Sequence, residues 1–248
     1  MQNSTKEHKP EKLKVALIVG ASGLIGQHLL RQLLASSTYS KVIVLVRKPL
    51  ILVHPKLEQW QIDFDDLAAE LMQHQLSSQT QQVKTSSAKL DATTNLTTID
   101  HIFCTLGSTI KKAGSKPAFR QVDYHYPLLI AKHFYPQGTA LFATVTAMSA
   151  NKASYIFYNQ IKGDIESSLS EIGYSHLGLF RPSMLSGQRD VFRLAEHLGT
   201  IMMNALALLI PKKFRVIQAE KVANAMLAYA KNPPLGVAII QSDQLQNY

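Results

Sequence analysis

Val15-Ala16-Leu17-Ile18-Val19-Gly20-Ala21-Ser22-Gly23-Leu24-Ile25-Gly26 decides how this chain is read. The apolar run from Leu13 to Val19 has the composition of a parallel strand buried on both faces. Three glycines follow at the spacing Gly-x-x-Gly-x-x-Gly. Over Leu24 to Leu34, residues Leu24, Ile25, Leu29, Leu30, Leu33 and Leu34 then share roughly one helical face. Each glycine has a physical task in such a strand–loop–helix unit. Gly20 permits the tight turn, Gly23 lets backbone N–H groups approach a diphosphate, and Gly26 lets helix and strand pack closely. Ser22, Leu24 and Ile25 lie in the same turn, where the positive end of the helix would face the phosphates. With 12 glycines in 248 residues, this spacing arises by chance about 0.03 times. The dinucleotide reading therefore outweighs a tight turn that binds nothing.

The rest of the chain repeats the unit. Strand-like runs are read at Lys41 to Val46, Leu57 to Ile62, Ile99 to Cys104, Ala140 to Val145, His176 to Phe180 and Val237 to Ile240. Helical patterns lie between them: after Asp65-Asp66 with Leu67, Leu71 and Met72, over Phe119 to Phe134 with a kink expected at Pro127, and over Ser154 to Ile172. Residues 183–231 read as mainly helical, on the substrate side. Residues 1–12 read as a flexible tail, and 73–98, rich in Gln, Ser and Thr, as a polar insertion within one domain spanning 13–248. This alternation predicts an α/β, doubly wound parallel sheet of the Rossmann type, with a small C-terminal region covering the substrate.

Composition narrows the functional classes. One Cys excludes an internal disulfide framework and a Cys-cluster zinc site, and it suits a reducing compartment, so a cytoplasmic location is expected. Apolar residues make up 46% of the chain, too many for a chain disordered throughout. The polar start lacks the greasy stretch of a secretory signal. The longest apolar run, Ile201 to Ile210, is about half a bilayer span, so no transmembrane segment is expected. Peripheral membrane attachment through Leu198 to Ile210 stays open as a weaker reading than a pocket wall or dimer face. The net charge of +9 is spread along the chain, with a mild cluster at Lys111, Lys112, Lys116 and Arg120, and nucleic acid is not expected as a partner. His125 and His133, eight residues apart, lack metal-ligand spacing, and no metal site is expected.

The second strand bears on which dinucleotide binds. An NAD site usually carries Asp or Glu about 20 residues past the glycine loop. Here Leu45-Val46-Arg47-Lys48 has no acid. Arg47 could fork onto a 2′-phosphate and stack on adenine while Lys48 adds a point charge, which favours NADP (as NADPH). Asp63 and Phe64, past the third strand, could flank the adenine; Asp63 serves equally well as a helix cap.

Tyr158-Asn159-Gln160-Ile161-Lys162 places a phenol and an ammonium one helical turn apart on the same face. Beside a cation and an oxidised nicotinamide, a phenol with an ordinary pKa of about 10 becomes a usable acid/base. The spacing alone is weak, arising by chance about 0.7 times at this composition. Its position after a strand ending in hydroxyls strengthens it. Thr144, Thr146 and Ser149 lie there, and a hydroxyl could donate to a developing oxyanion.

These residues resemble the atypical branch of the short-chain dehydrogenase/reductase superfamily, specifically the Tat-interacting-protein-like NAD(P)-binding oxidoreductases. The resemblance runs from Val15 to Met226 and is carried by the glycine loop, Cys104-Thr-Leu-Gly-Ser-Thr109, Lys112-Ala-Gly114, Val122-Asp-Tyr124, Tyr158-Asn-Gln-Ile-Lys-Gly163 and Phe180-Arg-Pro-Ser-Met-Leu185. It implies Tyr158 as acid/base and Lys162 as holder of the nicotinamide ribose. It implies that Cys104, Thr105, Leu106 and Gly107 line the cofactor and that the stretch from Pro182 to Met184 approaches nicotinamide and substrate. The usual strand-end serine is replaced by Thr146 followed by Ala147. Thr146 is taken as the third catalytic member, with Ser149 as the alternative. Cys104, ending a buried strand, reads as packing and not as a redox thiol.

Two functions stay open at this stage. One is an NADP-dependent oxidoreductase acting on a small-molecule carbonyl or alcohol. The other is a non-catalytic NADPH-binding sensor acting through a protein partner, and a homodimer is compatible with both. A substrate pocket is expected between Met184 to Ile210 and the nicotinamide end.

Overall fold

A computed structural model of the chain describes residues 12–74, 98–186 and 211–248. Seven parallel strands form one sheet in the order β3-β2-β1-β4-β5-β6-β9. They are β1 (Lys14–Val19), β2 (Tyr39–Val46), β3 (Leu57–Gln61), β4 (His101–Cys104), β5 (Leu141–Val145), β6 (His176–Arg181) and β9 (Gly236–Gln241). From β1 the chain winds outward to β2 and β3, then returns to place β4 on the other side of β1. That reversal opens a crevice beyond the strands' carboxyl ends, where a ligand site belongs in such sheets. The doubly wound α/β fold expected from the sequence is the fold observed.

Each face of the sheet is buried because its strands are apolar on both sides. Ala16, Ile18, Val42 and Val44 face a layer formed by α1 (Leu24–Ala35) and α7 (Ala219–Lys231). Leu17, Val19, Ile43 and Leu45 face the opposite layer, built from a helix over 67–74 (α2), α5 (Tyr126–Phe134) and α6 (Phe157–Ser170). In α1 the buried stripe is Ile25, Leu29, Leu30, Leu33 and Leu34. Leu24, assigned to that stripe from sequence, is 42% exposed and lines the cavity described below. Being the first helical residue, it lies at the carboxyl ends of the strands, beside the crevice.

Three local readings need correcting. The helix expected at Phe119 starts earlier, as α4 (Lys116–Arg120), capped by the Ser115 hydroxyl, which accepts from the Ala118 amide. It runs into α5 through a π-turn at Gln121–His125. The wider turn precedes Pro127, which lacks the N–H to continue an α ladder. The stretch read as helical up to Lys231 is broken within 211–218 by a 3₁₀ turn at Lys212–Phe214 and a short strand, β8 (Ile217–Gln218). β8 pairs with β7 (Leu185–Ser186) beside the crevice. The tail at 1–11, the insertion at 75–97 and the apolar run Ile201 to Ile210 lie outside the described residues. Among the described residues, no helix is long and apolar enough to cross a membrane.

Candidate active site

The glycine loop is held from both sides. Gly20 has φ of +86°, and the Thr105 hydroxyl, from the loop after β4, donates to the carbonyls of Val19 (2.9 Å) and Gly20 (3.1 Å). A Cβ on Gly26 would lie 2.1 Å from the Gly20 carbonyl oxygen, so α1 meets the loop more closely than any side chain allows. Gly23 is the N-cap of α1 and supplies no side-chain hydrogen bond, and the first turn carries no acid. The leading amides of a twelve-residue helix therefore open toward the crevice.

A cavity of about 500 Å³ fills that crevice. Its wall joins Gly23, Leu24 and Ile25 at the helix start to Leu106 and Gly107, and to Tyr158 and Lys162 across from them. Thr105, Thr146, Ser149, Pro182 and Met184 complete the sequence-expected members that line it. Ser183, between Pro182 and Met184, lines it with them; Lys112, Met148 and Asn159 line it as well, and were not singled out as site residues.

Tyr158 and Lys162 occupy the first two turns of α6, which approaches the end of β5 closely. A Cβ on Gly163 would sit 2.1 Å from the Lys152 backbone nitrogen, so the loop from β5 crosses the helix at that glycine. The Tyr158 ring packs against Phe119 with centroids 5.6 Å apart. Lys162 is buried, and its Nζ lies 2.7 Å from Asp123 Oδ1. Burial alone would pull the ammonium pKa down, but Asp123 and then Tyr158 outweigh it and hold the pKa above the ordinary lysine value.

Asp123 is a further functional-site residue, one to which the sequence reading gave no role. It sits in the π-turn, 2% exposed, and its Oδ2 accepts from the Ser108 backbone amide at 2.9 Å. An aspartate in a helix ordinarily reads as a surface residue, and the signals available were its place in the stretch Val122-Asp-Tyr124 and Pro127 four positions on.

Other expected residues take different places. The Thr146 hydroxyl donates to Glu166 Oε1 at 2.6 Å, with the Phe180 carbonyl 3.3 Å away, so its proton points into the protein. Glu166 is itself paired with Arg181, which donates through Nε at 2.9 Å and Nη2 at 2.5 Å. Ser149 is exposed. Cys104 is fully buried on the α5/α6 side of the sheet and does not line the cavity; burial pushes its thiol up to about 11, as packing and not redox chemistry requires. Arg47 and Lys48 are exposed at the end of β2. Asp63 caps the 3₁₀ turn Phe64–Asp66 by accepting from the Asp65 amide at 3.0 Å. Phe64 is 9% exposed, with its ring 5.2 Å from that of Tyr126. The Tyr126 hydroxyl donates to Asp65 Oδ1 at 3.2 Å, which ties α5 to the turn after β3. Arg47, Lys48, Asp63 and Phe64 do not line the cavity. No cluster of metal-binding type occurs among the described residues.

Comparison with known proteins identifies the lineage. The profile of the HIM1 family matches residues 50–211, the greater part of the chain and the part holding Tyr158 and Lys162. Protein HTATIP2 of Rattus norvegicus is 28% identical over 199 residues, which cover 78% of this chain and 72% of that protein. The mitochondrial protein FMP52 of Coccidioides immitis is 27% identical, covering 76% of this chain and 72% of its own. Solved structures agree on the fold. An oxidoreductase of the short-chain dehydrogenase/reductase family from Burkholderia thailandensis superposes with a TM-score of 0.66 at 16% identity, over 95% of this chain and 94% of that one. A short-chain dehydrogenase from Leptospira borgpetersenii, solved with bound NAD+, gives 0.64 at 13% identity, over 94% and 93%. The expected cytoplasmic location is overturned by the relatives, since the FMP52 proteins of Coccidioides immitis, Emericella nidulans and Candida glabrata are named mitochondrial. A cysteine count does not separate one reducing compartment from another. The chain belongs to the HIM1 family, is similar to protein HTATIP2, and has the fold of the short-chain dehydrogenase/reductases.

Proposed function

We propose that the protein is an NADP-dependent oxidoreductase acting on a carbonyl or alcohol group of a small molecule. One observation carries this reading: a single cavity connects the uncapped start of α1 with Tyr158 and Lys162. The residues present fit a dinucleotide. The amides of Leu24 and Ile25 suit a diphosphate, the Gly23 amide being held by the Gly20 carbonyl at 2.9 Å; Gly107 leaves room along the wall, and the exposed pair Arg47 and Lys48 suits a 2′-phosphate. When bound, the cofactor supplies or accepts hydride. Tyr158 then gives its phenolic proton to the carbonyl oxygen, or removes one from an alcohol in reverse. Lys162 favours the phenolate electrostatically and reaches the ribose side of the cavity, where Leu106 and Met184 add apolar wall. A solved relative of the fold with bound NAD+ supports a nicotinamide cofactor, and Arg47 supports the phosphorylated form.

The commitment of the Thr146 proton to Glu166 favours a second reading, an NADPH-binding sensor that acts through a protein partner without turnover. In the oxidoreductase reading Ser149 remains available to the oxyanion, or Thr146 turns away from Glu166 when substrate binds. Assaying NADPH consumption against aldehydes, ketones and quinones separates the two. Turnover that disappears in Tyr158→Phe while NADPH affinity holds supports the enzyme; NADPH binding with no reduction of any of them supports the sensor.

A further inference from the structure

Asp123 takes no part in the chemistry described above, yet its side chain is 0% exposed and faces the Lys162 side chain, itself 5% exposed. The π-turn at Gln121–His125 turns the carboxylate inward, where Oδ2 takes the Ser108 amide at 2.9 Å and Oδ1 lies 2.7 Å from Lys162 Nζ. Asp123 is closed off from water, and Lys162 meets only the cavity. An ammonium so deeply buried and left without an anion gives up its proton near or below neutrality, at a pKa that can fall to about 5–6. A neutral lysine would neither favour a phenolate nor donate three hydrogen bonds.

We infer that Asp123 is a positioning residue that keeps Lys162 protonated and aimed between Tyr158 and the cofactor side of the cavity. The other groups around Lys162 cannot replace it. From β4 comes the Cys104 thiol, fully buried and held neutral. The Gly107 backbone passes over the pair without charge; a Cβ there would be 3.7 Å from Asp123 Oδ1 and 3.8 Å from Lys162 Nζ. One turn further along α6, Glu166 is engaged by Arg181 and Thr146. Across the cavity, α3 (Ile110–Ala113) brings Lys112, a second cation. Asp123 is thus the one carboxylate in contact with Lys162 among the described residues.

This inference rests on the oxidoreductase reading only for its kinetic consequence, so its primary test needs no turnover. Lysine labelled with ¹³C and ¹⁵N, with the Lys162 signal assigned by comparison with Lys162→Arg, is followed by NMR from pH 5 to 11 in the cofactor-free protein. Asp123→Asn, which keeps the size and the acceptor for the Ser108 amide, lowers the Lys162 midpoint by about two pH units or more. A midpoint in Asp123→Asn equal to that of the wild type overturns the inference. Should that variant fail to fold, the wild type decides: a Lys162 that deprotonates below the free-lysine value of about 10.4 overturns the inference, and one that stays charged above it upholds it. In kinetics, carbonyl reduction by Asp123→Asn declines as pH rises through the new midpoint while the wild type shows no such limb. An early-titrating Lys162 in a protein that reduces nothing upholds the role of Asp123 and counts against the oxidoreductase instead.

Discussion

Tyr158 serves as an acid only if the substrate oxygen can reach its hydroxyl, so removing that one oxygen separates chemistry from binding. Tyr158→Phe lowers turnover by about 10²–10⁴-fold and leaves the NADPH dissociation constant within experimental error of the wild type, as measured by fluorescence titration. Arg47 is the converse case, touching affinity and not chemistry. Arg47→Ala weakens NADPH binding by roughly 10- to 100-fold, the worth of charge-assisted hydrogen bonds to the 2′-phosphate, while NADH binding is unchanged. Equal losses for both nucleotides would place Arg47 outside the 2′-phosphate site. A third residue reports through pH. His101 is buried and accepts or donates a 2.8 Å hydrogen bond with the Tyr39 hydroxyl. Burial first, with help from the charges of Lys14 and His176, lowers its pKa to about 3. The unfolded chain takes up that proton near pH 6.5 and the folded chain does not, so stability is full above about pH 6.5 and declines toward pH 3, by up to about 1.4 kcal/mol per unit. Urea titrations at stepped pH show a shallower decline in His101→Asn.

At the level of elements, the glycine loop and α1 form one mechanical unit. Gly26→Ala introduces a methyl group 2.1 Å from the Gly20 carbonyl oxygen, so α1 must move off the loop. The expected cost is about 1–3 kcal/mol of stability, together with loss of NADPH binding; circular dichroism melts and titration read the two effects separately. The sequence made this unit legible because glycine spacing and an apolar strand are local signals. It did not make the π-turn legible. Whether Asp123 faces water or Lys162 depends on one extra residue in a helical turn, which periodicity does not resolve. Thr146 shows the same limit. Its identity and its place at the end of β5 were readable, but the direction of its hydroxyl was set by Glu166 and Arg181, which come from α6 and β6.

Across the whole molecule, strand order follows from alternating β and α signals and from the rule that crossovers lie on both faces of a parallel sheet. That rule alone places the ends of β1, β4, β5 and β6 around one crevice, and so gathers Gly23, Gly107, Tyr158 and Pro182 from 160 residues of chain into one wall. The segment within 211–218 escaped prediction because β8 is two residues long and exists by pairing with β7, a contact no window of sequence contains. Location was read from composition, and composition does not encode it. The central claim is a placement: a nucleotide lying across the sheet, its diphosphate on the amides of α1 and its nicotinamide beside Tyr158. A crystal structure of the protein grown with saturating NADPH tests it directly. The diphosphate is expected on the backbone from Gly23 to Ile25, with the nicotinamide ring and the Tyr158 hydroxyl separated by the width of one carbonyl group. Nucleotide bound elsewhere, or with its nicotinamide turned out of the cavity away from Tyr158, would contradict the account.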